Sequence, residues 1–289
     1  MIVDSHSHAW RMWPYDTNVP DPSSRGSAEA LLYEMDTHQV DRAVVVCARI
    51  GGGAGGDGFA NEDNNAYVAG FAQAHPDRIT PWVDVDCSWR DEYHQPGAAH
   101  RLVHELEQSQ APGFTHYLGA ENDGWLRSDE GREFFRVAAD AGVIASLSLG
   151  SPDWFEDVVA IAKDNPTLPV LLHHLGLPRD ARLEQLLVCA AVPSIGVKIS
   201  GFHYRSRRAW DFPFTDAIAD FREIHRSFGS HRLYWGSDFP ASRDAVSYVQ
   251  TLEVVRTYCD FLPASDVKLI MGENLDELLT ERAVPVAEG

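Results

Sequence analysis

Ile2-Val-Asp-Ser-His-Ser-His8 opens the chain, and its reading decides the fold. The run is strand-like and ends in two histidines set two positions apart. Side chains on a strand point alternately to opposite faces, so His6 and His8 share one face and can converge on one centre. Imidazole is the commonest metal ligand and the only side chain that ordinarily titrates near neutral pH. A pair held this way therefore points to metal binding or acid/base work. Histidines also serve as satisfied core residues, so the rest of the chain must supply the context.

Short apolar, β-branched-rich segments recur at 43–50, 79–85, 113–118, 143–149, 169–174, 195–200 and 233–237. The stretches between them carry helical spacing. The clearest is Phe214, Ile218, Phe221, His225 and Phe228, which fall on one stripe. Ser151 before Pro152 suits a helix N-cap, and Asn274 with Glu277 reads as a capping-box variant opening a last helix. Eight strand and helix units could form an open doubly wound sheet, but their number and the length of 289 residues favour a single α/β domain over 1–289, a closed (β/α)8 TIM barrel. In that fold the chemistry sits at the C-terminal ends of the strands. His6 and His8 then stand at the end of strand one, Arg49 at two, His116 and Tyr117 at four, His173 and His174 at six, Lys198 at seven and Asp238 at eight.

Composition narrows the function. With 24 basic and 43 acidic residues the net charge is −19, a field that repels nucleic acid and anionic lipid. No apolar run reaches the length of a membrane span, and no leader-like segment precedes the first strand. Cys47, Cys87, Cys189 and Cys259 are scattered and form no CxxC, which suits buried reduced thiols in a cytoplasmic protein. The expected partner is a small-molecule substrate; whether the chain forms a homo-oligomer is left open.

Two imidazoles, a third imidazole and a carboxylate make a ligand set suited to zinc or a similar divalent ion, with room for a water whose pKa the ion lowers. His6, His8, His174 and Asp238 can supply it. A carboxylate beside a metal or an imidazole can also take a proton from attacking water and return it to the leaving group, which makes Asp238 the candidate general base.

Beyond the opening run, Leu172-His-His-Leu-Gly176 with Pro178, Val197-Lys-Ile-Ser-Gly201, Trp235-Gly-Ser-Asp-Phe-Pro240 and Met271-Gly-Glu-Asn-Leu275 follow one another along nearly the whole chain. Together they resemble the amidohydrolase superfamily, in particular its branch of lactonases and decarboxylases that includes 2-pyrone-4,6-dicarboxylate lactonase and sugar lactonases. The resemblance implies that His6 and His8 are the strand-one pair, that Asp238 is the strand-eight aspartate, and that His174 rather than His173 is the strand-six histidine. Since neighbours on a strand oppose each other, His173 is then expected on the helix-facing side. Relatives that hold zinc firmly carry a further histidine on strand five, whereas 145–150 here has none. The resemblance therefore leaves both a divalent ion and a metal-independent mechanism open. Thr115 stands where the lactonase branch often has an arginine, which argues against copying a dicarboxylate substrate directly.

His203 and Arg205 lie in a basic stretch after strand seven that could clamp an anion, and with His116, Tyr117 and Arg49 they form the expected substrate-binding set. Trp10, Trp13, Trp82 and Trp125 are candidates for a pocket wall. The glycine run at 51–58 matches GxGxxG only formally, because another strand precedes it; a mobile loop over the mouth is the expectation there. These readings converge on a hydrolase that opens a lactone or related cyclic ester. The alternatives are a nonoxidative decarboxylase of the same branch, or a barrel that binds a small ligand without chemistry.

Overall fold

The computed structural model describes residues 1–178 and 181–282. Eight strands form one parallel sheet in the order of the chain: β1 (Val3–Ser7), β2 (Arg42–Val46), β3 (Ile79–Asp84), β4 (Gly113–Tyr117), β5 (Ile144–Ser148), β6 (Val170–Leu172), β7 (Ile195–Ile199) and β8 (Leu233–Trp235). The seam between the first and last strands is joined just beyond β8. There Asp238 N–H donates to His6 O at 2.7 Å and His8 N–H donates to Phe239 O at 2.6 Å. The result is the expected (β/α)8 barrel.

Helices α1 (Ala28–His38), α2 (Asn64–Ala74), α3 (Ala98–Ser109), α4 (Asp129–Asp140) and α5 (Phe155–Asp164) follow the first five strands. The short α6 (Leu183–Leu187) and α7 (Phe202–Arg205) precede α8 (Thr215–Phe228), and α9 (Tyr248–Arg256), α10 (Ala264–Lys268) and α11 (Asn274–Glu281) complete the ring. The stripe read from sequence faces the sheet on α8, where Ile218, Phe221 and Phe228 are buried. Inside the barrel Val3, Val44, Trp82, Ile144, Leu171 and Tyr234 pack with Leu275 and Leu279 of α11, which closes the end opposite the site. The four cysteines are buried free thiols. Among the described residues no helix is long and apolar enough to cross a membrane.

Two capping expectations fail for local reasons. The Ser151 hydroxyl makes no cap bond, because Pro152–Trp154 forms a 3-10 turn ahead of α5. Asn274 does not cap α11 because the backbone is already helical before it; its amide instead donates to Ser230 O and Leu233 O. In the glycine-rich segment the N–H of Gly52 donates to Gly58 O, that of Gly58 to Pro14 O and that of Phe59 to Trp13 O. A Cβ on Gly56 or Gly58 would collide with the Pro14 backbone, which is why that close approach needs glycine.

Candidate active site

Strict alternation along β1 would place His6 on the face opposite Val3, which points into the barrel. It does not, because the pairing register slips: Asp4 pairs with Ala43 but Ser7 with Val45, so β1 carries one extra residue. Such a bulge re-aims the side chains that follow it. His6 and His8 therefore both reach the interior mouth, with ring centroids 5.0 Å apart. Asp4 locks this geometry from behind. Its carboxylate accepts the N–H groups of His6 at 3.0 Å and Ser237 at 2.9 Å, along with the hydroxyls of Ser237 and Tyr248.

Asp238 lies three residues past β8 in the left-handed region, with φ of 56°. Its Oδ1 is 3.5 Å from Nε2 of His6 and 3.5 Å from Nε2 of His8, and its Oδ2 accepts the Tyr204 hydroxyl at 2.7 Å. Burial alone would push this carboxyl up. The His174 and His8 imidazoles and the Tyr204 hydroxyl outweigh it and hold Asp238 below the usual aspartate value. The Tyr204 phenol is in turn pushed well up by burial and by the Asp238 carboxylate. The residue as a whole is more than half exposed at the rim, while its hydroxyl reaches the aspartate.

Strand six departs from the sequence reading. β6 stops at Leu172, and His174 has a left-handed φ of 48°, so alternation no longer governs the pair. His173 does not face the helices: its ring lies 4.4 Å from that of His6, and the His174 ring lies 4.7 Å from it. His173 Nε2 pairs with Ser146 Oγ on β5, and His174 Nδ1 with Ser200 Oγ at 3.1 Å. Burial lowers the pKa of all three rings, that of His174 to about 4. Beneath them Lys198 Nζ sits 3.2 Å from His6 Nδ1 and 4.3 Å over the Trp82 ring; burial lowers the lysine well below its ordinary value.

The donor chemistry suits a divalent cation. His8 Nδ1 donates to the Val46 carbonyl at 2.9 Å, which fixes the ring with its Nε2 3.5 Å from the Asp238 carboxylate. His6 Nε2 is buried with no hydrogen-bond partner among the described residues. Imidazole nitrogens and a carboxylate converging in a dry pocket form a donor set that a divalent cation would satisfy, and imidazoles anchored through the other nitrogen are how proteins present metal ligands. The four expected ligands fall into two overlapping groups, His6, His8 and Asp238, and His6 and His174 together with His173; within each group the donor atoms lie within 4.8 Å of one another.

The model for the amidohydrolase family matches residues 3–279 of this chain. The chain belongs to that family. A curated relative, the protein y4mH of Sinorhizobium fredii, is 22% identical over 274 residues, covering 86% of this amidohydrolase and 87% of the relative. An amidohydrolase from Burkholderia multivorans solved with bound zinc superposes with a TM-score of 0.71 at 22% identity, covering 99% and 100% of the two chains. A probable 2-pyrone-4,6-dicarboxylic acid hydrolase from Acinetobacter baumannii gives 0.73 at 19% identity over 96% and 99%. The 5-carboxyvanillate decarboxylase of Sphingomonas paucimobilis gives 0.66 at 13% over 97% and 99%.

The expected substrate-binding set is split. Tyr117 packs beside the mouth, its ring 5.1 Å from His173. His203 and Arg205 line a cavity of about 780 Å³ over the ends of β5 to β7, together with His173, His174, Tyr204 and Arg207. Arg205 is held there by Asp220 and the Ala181 carbonyl. Arg49 and His116 are turned away. Arg49 faces the carboxylates of Asp84, Glu92 and Glu105, which neutralise its charge. His116 points into the helix layer, where it meets the Val85 carbonyl and His94 beside Trp125. Of the tryptophans, Trp10 stacks on His8 at 4.9 Å, whereas Trp82 lies in the barrel interior and Trp125 stacks on His94. Sequence reasoning missed Tyr204, Tyr15 and the inward turn of His173. Tyr15, pushed up by burial and by Asp238, comes from an irregular loop that no spacing rule places.

Proposed function

We propose that this amidohydrolase opens a lactone or related cyclic ester by attack of water, with Asp238 as general base. One observation carries the reading: a buried carboxyl group with one oxygen facing two imidazoles and the other oriented by a tyrosine hydroxyl. That arrangement accepts a proton at a fixed point, as general-base catalysis requires. The hydrolase neighbours support the same reading, as does the cavity beside the cluster.

The cluster suits a divalent ion such as the zinc of the Burkholderia neighbour, which His6 would hold either with His8 and Asp238 or with His173 and His174. An ion bound there supplies a positive charge that acidifies water and polarises a carbonyl. The chain's own groups do the rest. Asp238 takes the proton as the water oxygen bonds to the carbonyl carbon. The ring C–O bond then breaks, and Asp238 returns that proton to the departing oxygen, leaving a hydroxy acid. His174 and Tyr117 flank the reacting carbonyl, and His203 with Arg205 lines the path by which substrate arrives.

The test is a panel of lactones and aromatic carboxylates assayed with the purified chain. Ring opening with uptake of one water and release of one proton is expected. Carbon dioxide release without water uptake would instead support the decarboxylase reading, which the Sphingomonas neighbour favours. Tyr204→Phe supplies a second expectation. Losing a hydrogen bond to a charged group is worth about 1.5–3 kcal/mol, so kcat should fall by roughly ten- to a hundredfold. That bond helps hold Asp238 low, so the acid limb of kcat/KM should move to higher pH. An unmoved limb would show that the hydroxyl does not tune the base.

A further inference from the structure

We propose that His173 is a metal ligand, and that His6, His173 and His174 form an all-nitrogen seat for a zinc-class ion that leaves Asp238 free as base. The inference rests on the reading of this cluster as a metal-holding hydrolase site. It begins from the break in β6. Because the strand ends at Leu172 and His174 adopts a left-handed backbone, two adjacent imidazoles enter one cluster, their centroids 5.8 Å apart and both close to His6.

Each ring is anchored through one nitrogen. Lys198 Nζ meets His6 Nδ1, Ser146 Oγ meets His173 Nε2, and Ser200 Oγ meets His174 Nδ1. The opposite nitrogens of His6 and His173, Nε2 and Nδ1, are buried without a hydrogen-bond partner among the described residues. His173 itself is only 5% exposed. Buried polar nitrogens are ordinarily satisfied, so two such atoms in contacting rings fit a bound ion that accepts nitrogen lone pairs. Donor nitrogens of the three residues lie within 4.8 Å of one another. Three neutral imidazoles suit zinc and its neighbours rather than magnesium or calcium, which prefer oxygen. The anchor of His173 is Ser146 on β5, so a ring from the turn after β6 supplies an imidazole on the side of the site where β5 itself carries no histidine.

The experiment uses the full chain stripped with chelator and titrated with cobalt(II), reading bound metal per chain and the visible d–d spectrum. His173→Gln should weaken cobalt binding by at least about tenfold and change the spectrum, because a first-sphere nitrogen is lost. Unchanged affinity and spectrum would overturn the role of His173 while leaving the hydrolase reading intact. If wild-type protein binds no cobalt yet hydrolyses lactones, the inference fails and the base-catalysed reading survives. Should the variant not fold, X-ray absorption on zinc-loaded wild type decides: three imidazoles support the seat, and two with a carboxylate overturn it.

Discussion

Asp238→Asn should leave the barrel folded and reduce kcat on the lactone it opens by about a thousandfold or more, the scale at which a positioned general base contributes. Asparagine is chosen because it is isosteric and tolerates the left-handed backbone that Asp238 adopts, so no new strain is introduced. Its amide oxygen can still accept the Tyr204 hydroxyl. What it cannot do is receive a proton. In the wild type the carboxyl is held below its ordinary value despite burial, so the base form is present across the neutral range. Measured kcat and KM, with Tm as the control for folding, separate the outcomes: a loss confined to kcat assigns the base, and near-normal turnover removes Asp238 from that role.

The second large effect is expected at Lys198, with opposite signs in two measurements. Lys198→Met should raise Tm while lowering activity or metal affinity by about ten- to a hundredfold, the usual cost of removing a group that orients a ligand. A lysine sealed inside the barrel loses hydration that Trp82 and His6 replace only in part. Methionine fills similar space without that penalty. The pH dependence of stability provides a further check. The folded pKa of Lys198 is depressed, so the unfolded chain binds the extra proton and stability rises with pH toward the ordinary lysine value of 10.5. The methionine variant should lack this increment. The activity loss follows from His6, whose Nδ1 would lose its only anchor among the described residues. A variant as active as wild type would reduce Lys198 to a packing residue.

Strand periodicity brought the reading close to the architecture because parallel strands buried on both faces leave apolar runs that nothing else in the chain imitates. The candidate site was legible to the extent that its residues sit at strand ends: His6, His8, His174 and Asp238 all reach the mouth. Arg49 and His116 occupy strand ends too, yet they turn outward, because acidic neighbours on β3 and α3 claim one and the helix layer encloses the other. Position along a strand does not say which way the chain turns once the strand has stopped.

The sequence by itself determined the eightfold alternation, the acidic surface and the identity of the histidines and aspartate available for chemistry, since these depend on local pattern and composition. Only the tertiary structure decided which of them meet. A one-residue bulge in β1 set the phase of His6 and His8, a left-handed turn after Leu172 brought His173 inward, and Tyr204 came to Asp238 from a short helix after β7. Each is a backbone event stabilised by contacts from other strands, so no local signal encodes it.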